Sequence, residues 1–168
     1  MLHFTSRQSL DSTLHGGEHN GLDISTGGND NLYSIVNGTI TDKGYDAEGY
    51  GNYIVMKDSS TNQGFLYGHM LNPSPLNVGD TVREGDFVGI EGSTGQSTGE
   101  HLHLGSQDMT GKDHWTFGLP ISQLLNPAIW LGIPNQYGIS AIYNGTPRTD
   151  TTDKNEKISS NGFYMLEN

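Results

Sequence analysis

Apolar residues fall in short runs bounded by Gly, Asn or Asp, and none before residue 119 repeats with a helical period. GLDIS (21–25), YSIVNGTITD (33–42), GNYIVMKD (51–58) and GFLYGHML (64–71) are rich in β-branched and aromatic residues, which predicts strands. Asn37-Gly38, between apolar pairs, predicts a tight turn. MKDSSTNQGFLY (56–67) predicts a hairpin with a polar tip. Within residues 76–95, V-G-D-x-V and E-G-D-x-V-G form a near-repeat of turn and strand, and HLHL (101–104) reads as extended. LPISQLLNP (119–127) predicts one short helical turn ending before Pro127. Residues 1–18 read as polar and turn-rich.

Composition agrees with a mainly β chain. Glycine fills 24 of 168 positions, roughly twice ordinary usage, as many tight turns would require. The length suits one compact domain with some to spare. After about residue 133 the chain becomes polar and poor in core residues. Residues 1–133 are therefore expected to be the folded domain. Residues 134–168 are expected to be a polar linker or tail, or the lead-in to a further module.

Charge and cysteine content exclude several functions. A net charge of −11 argues against a nucleic-acid binder, which needs a basic stripe, and against adhesion to an anionic membrane. With no cysteine, disulfides and thiolate-bound zinc are ruled out. No apolar run is long enough to span a bilayer. MLHFTSRQSLDS lacks an apolar signal region, so either the protein leaves its cell without one or this is a piece of a longer chain.

The chemistry lies in three segments: EHNGLDI (18–24), LYGHM (66–70) and EHLHL (100–104). In a strand, His101 and His103 point to one face, their backbones about 7 Å apart, so that both imidazoles can converge on one centre. Taken alone, the pair reads equally well as two solvated histidines. His19 and Asp23 stand four apart, but Gly16, Gly17 and Gly21 disfavour a helix, so the segment reads as a loop entering a strand. His69 alone would be an ordinary strand-end histidine. Together they offer four histidines and one carboxylate. Catalytic zinc takes three such ligands and keeps a fourth position open. The remaining histidines would accept a proton or donate to an oxyanion. His3, His15 and His114 read as structural, loop or solvent-facing residues.

These segments, with the glycine-rich run over 78–104 and Asn126-Pro127, resemble the lysostaphin-type (LytM-type) zinc endopeptidases that cut peptidoglycan. The resemblance covers about residues 4–130, in the family's order and near its spacing. It implies that His19, Asp23 and His103 bind Zn2+, with His69 and His101 as catalytic groups beside the metal. It implies an antiparallel β-sheet forming an open groove, with long loop walls and little helix. The implied partner is a bacterial peptidoglycan peptide, stem or cross-bridge, cut beside Gly or Ala. The protein would act outside the cell as a cell-wall lytic enzyme, as a monomer or part of a larger chain. A phage tail or endolysin domain, hence virion-associated, fits the missing signal and the acidic charge. The rival readings are a catalytically silent peptidoglycan-binding or activator module of the same fold, a different zinc enzyme or carbohydrate-binding domain, and a purely structural tail domain.

Two departures stand out. The family usually has Phe-Glu after H-L-H, where this chain has Leu104-Gly105, a change expected at the pocket floor. A tyrosine often lies just upstream of the first ligand, where this chain reads DSTLHGGE (11–18). Residues 26–33, 42–51 and 106–118 are the expected groove walls. Tyr45, Tyr50, Trp115 and Phe117 are candidate contacts, each equally open to ordinary packing.

Overall fold

The computed structural model describes residues 2–8, 19–25, 28–132 and 140–143, the first and last of these as backbone strands alone. Among the described residues ten strands form: β1 (Leu2–Gln8), β2 (Leu22–Ser25), β3 (Asn31–Tyr33), β4 (Gly38–Asp46), β5 (Gly51–Asp58), β6 (Gln63–Met70), β7 (Thr81–Val82), β8 (Phe87–Ile90), β9 (Leu102–Asp108) and β10 (Ser140–Tyr143). Eight of them build one sheet in the order β10-β1-β2-β9-β6-β5-β4-β7, and β3 pairs with β8 in a separate two-stranded sheet. Every pairing is antiparallel. The fold is mainly β, with short helical segments.

Strand alternation divides the large sheet into two unlike faces. Leu22, Ile24, Ile54, Met56, Phe65, Tyr67, Leu102 and Leu104 enter the main core, which Leu32 of β3 and Val88 of β8 cover. The intervening residues face the other way. Asp23, His103, Gly68, Gly105, Leu66 and Val55 share that second face, as the registers Asp23↔His103, Gly68↔His103, Leu66↔Gly105 and Val55↔Leu66 require. A smaller cluster of Val55, Leu66, Met109 and Trp115 sits there. Alternation thus sets an apolar back against a second face that carries Asp23 and His103 beside that smaller cluster.

The β5–β6 hairpin forms as expected. Its tip is held by one carboxylate oxygen: Asp58 Oδ2 accepts from the N–H and the hydroxyl of both Ser60 and Thr61, at 2.6–3.1 Å. The VGD/EGD echo is a repeated turn. Asp80 Oδ2 accepts from the Asn77 N–H and Asp86 Oδ2 from the Arg83 N–H, both at 2.8 Å. Gly79 and Gly85 supply the positive φ, 94° and 88°, that these turns demand.

Elsewhere the structure departs from the sequence pattern. Asn37-Gly38 does not join two paired strands: β3 pairs with β8, while β4 begins at Gly38 and pairs with β5 and β7. Ile35 and Val36 bend into the core instead, and Gly38 is required because a Cβ there would strike the Lys57 carbonyl. A strand, β1, occupies Leu2–Gln8 where the sequence reads as turns. Pro127 opens a helix, α1 (Pro127–Leu131), beyond a 3-10 turn at Ile121–Gln123. Asn126 caps it, its Oδ1 accepting from the Ala128 N–H at 3.0 Å, and proline at the first helical position has no N–H to waste. Trp130 of α1 packs edge-on against Phe65, ring centroids 5.0 Å apart. Within the stretch 134–168, Ser140–Tyr143 forms β10 against β1. Residues 134–139 and 144–168 lie outside the described residues, as do His15 and the side chain of His3.

Candidate metal centre

Three neighbouring strands and the segments leading into β2 and β9 bring the five sequence-selected residues to one spot. Asp23 of β2 stands opposite His103 of β9, which stands opposite Gly68 of β6. His19 reaches in from the segment before β2. Its Nε2 lies 3.1 Å from Asp23 Oδ1, and His103 Nδ1 lies 3.1 Å from the same oxygen. The three ligand atoms fall within 4.8 Å of one another. A tetrahedral ion with bonds of about 2.0–2.1 Å sets its ligand atoms roughly 3.3 Å apart, so this set of two imidazoles and a carboxylate fits a metal site.

Gly21 makes the approach possible. A Cβ there would lie 2.5 Å from His103 Nε2 and 2.7 Å from the Leu104 carbonyl oxygen. His103 is fully enclosed, and among the described residues neither its Nε2 nor His19 Nδ1 has a hydrogen-bond partner.

His69 and His101 flank this group. Their ring centroids are 4.7 Å apart, and that of His69 is 5.8 Å from that of His103. His101 Nε2 lies 3.6 Å from Asp23 Oδ2. Each ring is oriented by a backbone carbonyl: His69 Nδ1 donates to Thr94 O and His101 Nδ1 to Gly99 O, both at 2.8 Å. A carbonyl only accepts, so Nδ1 carries the hydrogen and Nε2 is left as the acceptor of each neutral ring.

The placement of His69 rests on an irregular backbone. A bulge interrupts the β5–β6 ladder between Asn52 and Ile54, and His69 sits there with φ +61°, a left-handed conformation rare outside glycine. Thr94 holds the bulge closed. Its hydroxyl donates to Met70 O at 2.7 Å and accepts from the Asn52 N–H at 2.9 Å. Gly95 packs directly on the Gly51 backbone, so the glycine-rich run serves to press Thr94 against His69.

Electrostatics follow from this crowding. Burial would raise the Asp23 carboxyl, but hydrogen bonds and charge from His103 and His19 outweigh it and hold it well below the usual carboxylate range. Burial pushes His103 down despite the Asp23 carboxylate. His69 is pushed down to about 4, chiefly by burial, with the Thr94 carbonyl opposing and the neighbouring histidines adding.

Of the candidate aromatics, Tyr50 lies at the centre: its ring is 5.4 Å from that of His103, and its hydroxyl accepts from Asn20 Nδ2 at 2.5 Å. Trp115 is packing, buried over Gly105 and Gly64. Tyr45 is exposed on β4, and Phe117 is exposed beside Tyr53. His114 is solvent-facing but paired with Asp42 at 3.1 Å. Sequence reading missed Asn20, Thr94 and Asp42, and for Gly21 it saw the bend but not the contact with His103.

The chain is 34% identical over 91 residues to a glycyl-glycine endopeptidase of Staphylococcus capitis, covering 54% of this chain and 25% of that protein. It is 30% identical over 96 residues to an endolysin of Staphylococcus phage 2638A, covering 53% and 19%. The crystallised catalytic domain of lysostaphin from Staphylococcus simulans superposes with a TM-score of 0.58 at 26% identity, covering 75% of this chain and 88% of that one. The chain spans only 18–25% of the length of the curated relatives it matches. The profile of peptidase family M23 matches residues 17–113, more than half of the sequence and all five residues of the centre, and the chain belongs to that family.

Proposed function

We propose that this chain is a zinc-dependent endopeptidase that hydrolyses peptide bonds of bacterial peptidoglycan, in the stem or cross-bridge, beside glycine or alanine. The observation that carries the reading is the convergence of His19 Nε2 and His103 Nδ1 on Asp23 Oδ1, each at 3.1 Å, with two more histidines alongside. The staphylococcal relatives support the substrate class. The endolysin relative supports a lytic role outside the producing cell, as a phage lysin domain.

In this reading His19, Asp23 and His103 hold Zn2+, which when bound supplies a Lewis acid that activates water and polarises the scissile carbonyl. His69 and His101 move the protons. Each has its Nδ1–H committed to a backbone carbonyl, so Nε2 is the atom that accepts the proton of the attacking water. Once protonated, the same nitrogen donates to the oxyanion of the tetrahedral intermediate or passes the proton to the departing amine. Burial keeps His69 neutral at physiological pH, the form a proton acceptor needs. Asp23 brings one negative charge to a divalent ion, so the centre stays net positive toward the oxyanion.

The test is mass spectrometry of fragments released from purified cell walls of several cross-bridge types. Wild type, metal-stripped protein restored with zinc, and His101→Ala are compared. New amino termini that depend on zinc and on His101 are expected. Tight zinc binding without release from any wall would overturn the endopeptidase in favour of a binding module.

A further inference from the structure

Of the three side chains that converge on one point, that of His19 has the least support from the fold. Asp23 and His103 sit opposite each other on paired strands, and His103 is enclosed on all sides. His19 lies before β2, outside the ladder. A metal-binding imidazole ordinarily has its second nitrogen held by a carboxylate or a carbonyl, which fixes the ring. His19 Nδ1 is buried and, among the described residues, has no such partner. Its segment must be held by other means.

The next residue supplies the hold. Asn20 Nδ2 donates to the Tyr50 hydroxyl at 2.5 Å, joining segments 30 residues apart. Tyr50 is itself firmly seated. Its N–H donates to Asp46 Oδ2 at 3.3 Å, and its carbonyl accepts from the His69 N–H at 2.6 Å. Its side chain packs on Gly68, where a Cβ would meet Tyr50 Cβ and Cδ1 at 3.4 Å. Its ring borders that of His103, centroids 5.4 Å apart. The turn just before it is tied to the glycine-rich run, Gly49 O accepting from the Gln96 N–H at 2.8 Å. One residue thus meets both halves of the centre. Its backbone bonds to that of His69, and its hydroxyl bonds to the neighbour of His19.

We propose that Tyr50 is a positioning residue of the metal centre, whose hydroxyl, through Asn20, holds His19 in place to bind the ion. The hydroxyl belongs to a well-anchored turn, so it lends the His19 segment the rigidity that the ring's own Nδ1 does not obtain. This rests on the reading of His19, Asp23 and His103 as metal ligands and is independent of which peptide bond is cut.

The test reads zinc rather than hydrolysis. Tyr50→Phe keeps the ring that packs on Gly68 and borders His103, and removes only the acceptor of the Asn20 bond. Zinc affinity, measured by competition with a chromophoric chelator, is expected to fall about tenfold, the lower end of the loss for outer partners of a metal site. Zinc should pass to excess EDTA faster by a similar factor. Asn20→Ala should show the same loss, and the double variant no more than either alone, because both remove one bond. Losses that add in the double variant would overturn the proposal. So would a wild-type zinc affinity in Tyr50→Phe beside a lowered urea midpoint of the metal-free protein, which would make the bond structural only. His19→Ala separates the two readings. If it loses zinc while Tyr50→Phe and Asn20→Ala keep it, the ligands stand and the positioning role falls. If His19→Ala binds zinc as tightly as wild type, the ligand reading falls and the proposal with it.

Discussion

Asp23 and His103 stand directly opposite each other on adjacent antiparallel strands, with His103 Nδ1 3.1 Å from Asp23 Oδ1. Backbone pairing sets that distance, so the carboxylate is committed before any ion arrives. Asp23→Ala should therefore lose the metal while leaving the sheet intact. Zinc affinity, measured by competition with a chromophoric chelator, should fall by more than about 100-fold, beyond the loss seen for outer partners of a metal site. Retained tight zinc binding in that variant would show that Asp23 is not a ligand.

Gly21 predicts a different failure. Its missing Cβ leaves room for the His103 ring and the Leu104 carbonyl, so Gly21→Ala must displace that ring or the strand beneath it. Overpacking of this kind costs about 1–3 kcal/mol. Urea unfolding of the metal-free protein should show that loss, and zinc should restore less stability than it does in wild type. Equal stabilisation by zinc in both proteins would refute the steric argument.

The site was largely legible in the sequence because its residues come in local patterns. Asp23 lies four residues from His19, and His101 and His103 share a strand face by period two. Partners across strands were not legible. Gly21 matters through His103, 82 residues later by the numbering. Asp42 matters because a bulge near Thr41 turns it toward the Trp115 loop. Tyr50 reaches His103 from the turn before β5, where its carbonyl accepts from the His69 N–H at 2.6 Å. The same limit explains the fold errors. Ile35-Val36 and Ile40 look like two arms of a hairpin, but Ile35 and Val36 enter the core from the bend after β3 and Ile40 enters it from β4. Bulges and cross-strand contacts leave no period in a sequence.

Acid should destabilise the metal-free protein in two stages. His69 is lowered from 6.5 to about 4, and His103 is lowered in the same direction. Between those values the unfolded chain binds protons that the folded chain does not, so stability rises with pH across that window. Stability should be flat above about pH 6.5 and fall from there toward about pH 4. The Asp23 carboxyl, held below its ordinary 3.8, adds a further loss as pH drops under that value. Urea midpoints at pH 7.5, 5.5 and 4 check the first stage. His69→Gln should flatten part of it. A midpoint unchanged from pH 7.5 to 4 would rule out the neutral, buried histidines on which the proton-transfer scheme depends.

His69 itself carries a backbone cost that separates its function from its contribution to stability. Its φ of +61° is disfavoured for any residue with a Cβ by about 1–2 kcal/mol, and glycine escapes that penalty. Two variants that both remove the imidazole should therefore differ in stability. His69→Ala keeps the strained backbone and loses the ring's hydrogen bond to Thr94 O. His69→Gly loses the same bond but relaxes the bulge, an advantage that the greater freedom of glycine in the unfolded chain partly offsets. His69→Gly is expected to be the more stable of the two by about 0.5–1 kcal/mol, read from urea unfolding of the zinc-loaded proteins. Both should bind zinc, since the three proposed ligands are untouched, and both should lose cell-wall hydrolysis. Equal stabilities would show that the left-handed backbone is not strained. Full hydrolysis by either variant would remove His69 from the proton-transfer role and leave His101 to act alone.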